Sequence, residues 1–534
     1  MKVLRSIRQI DLSDLYVFCM FCLFLFVFDN YYYNITDTKY CFFVISTCLI
    51  AVLIVVLKVI QRKTQRKSYC FLTKIDLCLG LWLVAQILSV LFSSNRMQAL
   101  LGSSQRHTGV IFSLLCVIGY LIISRGKKKT KKAVDIFLIS TTLLHLLAVA
   151  NFFSVDPFGF FTHLSDYQSA FFISTSGNIN FYASIICLSL PISCYLFITS
   201  NTDHNWYFLS AVCGFFGLCV SNSDSGYLGI GCMFLFLLWY SCRDIVCFRR
   251  CILLIFALLT AAKILYVFSL LDPTASRRYL TLSALLTESP ISWGLWFITG
   301  LLFSSMIRFE KAFAARLTSI RKCILFLYIV IFFLIVCAFI YFSFINKDVN
   351  IGFFSSYLRW NDSWGTGRAN AWSHLLSAYQ TFPVHQKLFG YGADTTRLIM
   401  MDHYAADSYL IQFDNAHNEY IQYLVTTGII GLCTYLAIWF VFFRQLFKHR
   451  RQCSIYSKAC AAAVIVYLIQ AVVNINQPIS TPLLFLLLGL VQDDLKQFDE
   501  ELHIFPALRK ETQGEPDISS LRIKHDKLTG RYAR

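Results

Sequence analysis

Long apolar runs alternate with short polar or basic segments along most of the chain. The runs fall near 14–29, 40–59, 75–94, 108–124, 133–153, 181–200, 206–221 and 226–242, then near 250–271, 287–308, 322–346, 418–443, 456–474 and 478–491. A helical crossing of a bilayer takes about 20 mainly apolar residues. Helices are the natural spanning element because lipid offers no partner for a free backbone N–H or C=O. The pattern predicts an all-α integral membrane protein of about 14 transmembrane helices.

Three stretches interrupt the alternation. Residues 154–180 form a polar loop, residues 347–417 a much larger one, and the charged segment 492–534 reads as a loosely ordered cytoplasmic tail behind a membrane domain of residues 1–491. In the large loop, Trp372, Leu375, Leu376 and Tyr379 recur at helical spacing, which predicts an amphipathic helix over 367–382 with Thr366 as N-cap and Arg368 in its first turn. A cation at that end opposes the helix dipole, so something negative belongs nearby. Free backbone N–H groups beside a guanidinium suit a phosphate. The alternative is an arginine that merely lies on the surface. Farther on, Leu388-Phe389-Gly390-Tyr391-Gly392 reads as a glycine-broken return toward the membrane, and His417 falls where the next apolar run begins. Histidine is the side chain best suited to proton transfer near neutral pH, although a single histidine at such a place also serves simply to cap or pack.

Composition supports the membrane reading. Of the 534 residues, 57% are hydrophobic and only 14% charged, against about 45–50% and 25% in soluble domains. The net charge of +17 would suggest a nucleic-acid partner in a soluble protein, but here the basic residues cluster in alternate loops. Arg62, Lys63, Arg66 and Lys67 form one cluster, Arg125 and Lys127 to Lys132 another, and Arg444 to Arg451 a third. By the positive-inside rule these loops are cytoplasmic, as are the N-terminus with Lys2, Arg5 and Arg8 and the C-terminus. Nucleic acid is excluded as a partner on this reading. The 20 cysteines are scattered through apolar runs and show neither a disulfide framework nor metal-ligand spacing.

The opposite, outer face then carries Arg96, Arg106, His107, Asn178, Asn180, Asp224 and Arg397. Basic groups there run against the topological bias, and several arginines on one face suit an anionic ligand carried in the lipid. No Asp-x-Asp pair stands in a suitable setting, so neither a metal-dependent diphosphate site nor any cofactor is indicated.

Several of these residues fall in ordered motifs. The runs Gly365-Thr-Gly-Arg368-Ala-Asn-Ala-Trp372, Phe389-Gly390-Tyr391-Gly392, Ala416-His417-Asn418-Glu419-Tyr420 and Gly428-Ile-Ile-Gly431-Leu432 resemble the O-antigen ligase and polymerase superfamily. Upstream, Arg106-His107-Thr108-Gly109, Ser176-Gly177-Asn178-Ile179-Asn180 and Ser223-Asp224-Ser225-Gly226 stand in the expected order, so the resemblance spans roughly 75–490. It implies a bacterial membrane glycosyltransferase that takes a polyprenyl-diphosphate-linked glycan at the outer face of the cytoplasmic membrane and transfers it to a sugar, lipid or protein acceptor. It also implies Arg368 as a ligand of the donor diphosphate, with Arg106 as a second phosphate contact, and His417 as the base or activator of the acceptor hydroxyl. Arg106, Trp372, Asn178, Asn180 and Asn418 follow as substrate-binding candidates. Asp224 departs from the pattern, since many relatives carry arginine there. Two rivals stay open: a flippase for lipid-linked oligosaccharide, and a non-catalytic subunit of an assembly complex. A transporter calls for ionisable residues deep in its spans, and the chain offers only Asp135, His145 and Lys263 as candidates.

Overall fold

A computed structural model describes residues 11–62, 72–104, 106–126, 130–272 and 277–511. Each apolar run coincides with one helix. The first half comprises α1 (Leu12–Phe26, with a π-helical turn at Cys19–Leu23), α2 (Ile35–Arg62), α3 (Lys74–Leu91), the short α4 (Arg96–Leu101), α5 (Val110–Ser124), α6 (Thr130–Phe152), α7 (Ile179–Thr199), α8 (His204–Val220), α9 (Asp224–Ser241) and α10 (Ile245–Leu271). After the short α11 (Thr281–Thr287) come α12 (Pro290–Arg308) and α13 (Glu310–Ile340). The large loop contributes α14 (Trp364–Thr381), α15 (Val384–Phe389) and α16 (Thr396–Tyr404). The chain closes with α17 (Glu419–His449), α18 (Ile455–Gln470) and α19 (Thr481–Glu511). A two-residue antiparallel ladder pairs Phe172–Ile173 with Gly177–Asn178.

The fold is that of an all-α, multi-pass membrane protein. Among the described residues, eight helices are long and apolar enough to cross a membrane: α2, α3, α6, α7, α10, α12, α13 and α17. The apolar helices α1, α5, α8 and α18 are shorter, at 10–17 residues. An apolar run read from sequence sets where a helix lies, but polar caps and breaks such as the turn after Phe26 set its length. The helix α19 runs on to Glu511, past the expected start of the tail at 492, while 512–534 lie outside the described residues. So do Lys2, Arg5, Arg8, Lys63, Arg66, Lys67 and Lys127 to Lys129, which helped to set the expected orientation.

The bundle is organised around α7, which is apolar on every side and buried along its whole apolar stretch, as expected of a helix without a polar face. It packs on α8, α9 and α18, while α3 packs on α17 and α5 on α19. At the other extreme, the apolar stretch of α13 buries nothing. Two ionisable residues inside the bundle are tied off. His145 bonds Tyr182 and Ser189 through its two ring nitrogens, and Lys263 donates to Leu286 O, Thr287 O and Ser292. The described cysteines are all free thiols.

The large loop has a core of its own, in which Ala371, Leu375, Ala378 and Phe382 meet Tyr391, Ile399, Met400, Ala416 and Val425. The buried stripe of α14 is thus set by its alanines. Trp372 and Tyr379 flank it, and Leu376, expected on the same face, is exposed. Small residues let the helix approach Ala416 and Val425 closely, which the larger side chains do not.

Candidate functional site

Two backbone devices present the motif residues. The first is the break in α17 at Gly428, whose φ of 69° and ψ of −178° are non-helical. The break frees carbonyls one turn earlier, and the loop supplies their donors: Tyr391 N bonds Val425 O at 3.1 Å and Gly392 N bonds Thr426 O at 2.8 Å. A Cβ at Gly428 would stand 2.3 Å from Leu388 O, so both the conformation and the close approach require glycine. The glycine-broken segment therefore does return the loop to the membrane helix, as its sequence suggested.

The second is the turn Gly365-Thr366-Gly367, with three successive left-handed residues ahead of the regular part of α14. Thr366 accordingly does not cap the helix. Its hydroxyl donates to Gly365 O and accepts from Arg368 Nη1 at 2.9 Å. The turn folds Arg368 back on itself, with Nη1 also donating to Gly365 O at 2.6 Å. Nε of Arg368 is buried and has no hydrogen-bond partner. Burial pushes the guanidinium below its ordinary range, and Asp224 acts in the opposite direction. Asp224 is thus a negative group within electrostatic reach of Arg368. Its carboxylate accepts from Tyr357 Oη at 2.8 Å, from Thr281 Oγ1 at 2.5 Å and from Leu282 N at 3.3 Å. Tyr357 in turn accepts Trp364 Nε1 at its carbonyl, 3.1 Å away, and Trp360, Trp364 and Trp372 pack nearby in tilted and edge-on contacts with ring centroids 5.2–6.3 Å apart.

His417 is held by its neighbours rather than by its own ring. The backbone is left-handed there, with φ 49°, a conformation that costs a non-glycine residue about 1–3 kcal/mol and persists only where the surroundings fix it. They do so on both sides. Asn415 Oδ1 accepts His417 N at 3.0 Å, and Gln422 Oε1 accepts Ala416 N at 3.0 Å. Trp372 Nε1 donates to Ala416 O at 2.8 Å, and Asn418 caps α17 by accepting from Tyr420 N and Ile421 N. Trp372 and Asn418 therefore position His417. The imidazole makes no hydrogen bond among the described residues. Burial lowers it to about 3, helped by Arg368 and Arg106 and opposed by Asp414, so it is neutral at physiological pH.

Arg106 reaches the same neighbourhood from the loop between α4 and α5. It forms a two-pronged ion pair with Asp414, Nε to Oδ2 at 2.9 Å and Nη2 to Oδ1 at 3.0 Å, and lies over the Phe181 ring. Asp394 holds the same loop, accepting from Ser103 N at 2.7 Å and Thr108 N at 3.2 Å. Burial pushes its carboxyl up, and those amides pull it down. Asn178 and Asn180 are engaged in structure: Asn178 caps α7 by accepting from Asn180 N, and Asn180 accepts from Ser223 Oγ at 2.7 Å and, through its carbonyl, from Asn474. His107 bonds Asp37 and stacks on Tyr40. The structure thus gathers Arg368, His417, Arg106 and Trp372 about one centre, while Asn180 bonds Ser223, the sequence neighbour of Asp224. Asp394, Asp414 and Tyr357 are partners that motif reading did not single out. Their contacts join segments up to 308 positions apart, and spacing carries no signal of that kind.

Residues 278–436 match the O-antigen ligase family model. The match bears out the resemblance to the O-antigen ligase and polymerase superfamily, and it includes Arg368, Trp372, His417 and Asn418. It covers less than a third of the chain, and Arg106, Asn178, Asn180 and Asp224 lie outside it. No curated protein matches the chain. Together with the apolar helices, the match supports an O-antigen ligase-like enzyme of surface polysaccharide biosynthesis in a membrane.

Proposed function

We propose that the chain transfers or polymerises polyprenyl-diphosphate-linked oligosaccharide at the outer face of the bacterial cytoplasmic membrane, with both termini cytoplasmic and about 14 crossings. The observation that carries the reading is the pairing of a guanidinium lacking a partner at Nε with a neutral, unbonded imidazole within its electrostatic reach.

In this reading Arg368, through its unpartnered Nε, binds the donor diphosphate. The acceptor hydroxyl gives its proton to His417 as its oxygen bonds to the anomeric carbon. The bond from that carbon to the diphosphate oxygen breaks, and the electron pair leaves with polyprenyl diphosphate. Arg368 stabilises the charge that develops there. Trp372 and Asn418 hold His417, and Arg106 fixes Asp414 beside it. The buried ionisable groups of the bundle support the enzyme over a transporter, since His145 and Lys263 are already satisfied by protein partners.

The test is glycan transfer in reconstituted vesicles, with wild type, Arg368→Ala and His417→Ala given polyprenyl-diphosphate oligosaccharide. Transfer by wild type and its loss from both correctly inserted variants is the expected result. Movement of the lipid across the bilayer without transfer, or full activity in both variants, would overturn the proposal. A pH profile adds an independent readout. A base depressed to about 3 is already deprotonated at pH 5, so kcat/KM should show no acidic limb between pH 5 and 7. An ordinary imidazole would give one near about 6.5.

A further inference from the structure

A cleft of about 100 Å³ opens on the loop-bearing face between the α4–α5 loop and the start of α16. Among the described residues its lining is Gln98, Ser103, Ser104, Asp394, Arg397 and Asp414, with no aliphatic or aromatic residue. The lining carries one guanidinium, Arg397, and two carboxylates, Asp394 and Asp414, of which Asp414 is neutralised by Arg106, so no net charge accumulates. An anionic ligand would need a cationic excess here and a cationic ligand an anionic one. A metal ion would need several free carboxylate oxygens, but both oxygens of Asp414 are held by Arg106 and Asp394 offers only its buried Oδ1, its Oδ2 being held by backbone amides. Among the described residues no third histidine, cysteine or acidic side chain completes a metal cluster.

What the lining offers is a dense mixture of donors and acceptors. Hydroxyls both donate and accept, carboxylates accept, and the guanidinium donates. That suits a neutral molecule rich in hydroxyl groups. The volume corresponds to roughly three liquid waters at about 30 Å³ each, enough for the edge of one sugar ring entering from the surface. One wall of the cleft, Asp414, lies three residues before His417 and acts on its imidazole.

We propose that this cleft holds the acceptor sugar, a neutral hydroxyl-bearing ring, and that Arg397 and Gln98 orient it with one hydroxyl toward His417. The assignment rests on the transferase reading above and adds to it where the second substrate sits. Gln98 is anchored for this task, its Nε2 donating to Asp394 O at 2.8 Å, and Arg397 is exposed at the rim.

The experiment uses the full chain in nanodiscs and, as probe, the neutral oligosaccharide released from the donor lipid by mild acid. Binding of the probe is measured directly, and transfer kinetics are measured in parallel in vesicles. Arg397→Ala should weaken probe binding at least fivefold, Gln98→Ala and Ser104→Ala less, with the KM for donor lipid unchanged in all three. Because Arg397 and Ser104 are exposed, these variants test binding rather than folding. Absence of probe binding to wild type, or unchanged binding in Arg397→Ala, would overturn the assignment. The two readings fail separately. Cleft-dependent binding without transfer leaves the cleft and removes the transferase, whereas transfer that ignores the cleft does the reverse.

Discussion

Arg368 and Arg106 lie on the same face of the molecule and act on the same imidazole, in opposite circumstances. One edge of the Arg106 guanidinium is matched to both oxygens of Asp414, nitrogen to oxygen at 2.9 and 3.0 Å, so its charge is neutralised and its attraction for a further anion is weakened. Arg368 has a carbonyl and a hydroxyl for partners, a buried Nε with none, and a carboxylate that reaches it only through space. A partly desolvated guanidinium with unused donors favours a ligand that supplies oxygen and negative charge. The comparison separates the arginine available to substrate from the one that holds the site together, a distinction that the resemblance alone did not make.

The largest effect that would sharpen this contrast is expected from Arg368→Lys. An ammonium keeps the charge but lacks the planar fork, so the transfer rate in vesicles should fall by about tenfold or more, while Arg368→Ala should lose about a hundredfold. Near-normal activity in the lysine variant would mean that Arg368 acts as a point charge only. Next in size is the ion pair. In a double-mutant cycle on thermal unfolding in detergent, Arg106→Gln and Asp414→Asn should couple by about 1–3 kcal/mol, with the double variant recovering much of what either single change loses. Additive effects would show that Arg106 does not depend on Asp414, and the contrast with Arg368 would break. The smallest is expected from Asp224→Asn, which keeps an acceptor for Tyr357 but removes the charge near Arg368. The KM for donor should fall by about two- to fivefold, the range of one partly exposed charge pair. An increased KM would assign Asp224 to substrate binding instead.

How far these contacts were legible in the sequence follows from their range. Helix positions were readable because the periodicity is local, and every apolar run found its helix. The return of Phe389 to Gly392 to the membrane was readable from its glycines, and Gly428, eleven residues after His417, needed only the break in α17 for its role to become clear. Thr366 was misread as a cap because two glycines allow a left-handed turn that spacing cannot distinguish from a helix start. The expected stripe of α14 was displaced because alanine carries little weight in a hydrophobic pattern yet permits the closest packing. The partners of Arg106 and of the loop at Ser103 were not legible at all. Asp414 and Asp394 lie 308 and 291 positions away from the groups they hold, and only the folded chain brings them together.

The most direct measurement of the contrast between the two arginines is inhibition of transfer by polyprenyl diphosphate, the lipid that leaves in the proposed reaction. Its inhibition constant would be compared in wild type, Arg368→Ala and the Arg106→Gln/Asp414→Asn double variant, with residual activity read by radiolabelled donor. The expected result is a rise of about tenfold or more in Arg368→Ala and little change in the double variant. Equal rises in both, or a rise confined to the double variant, would contradict the assignment of Arg368 as the diphosphate ligand.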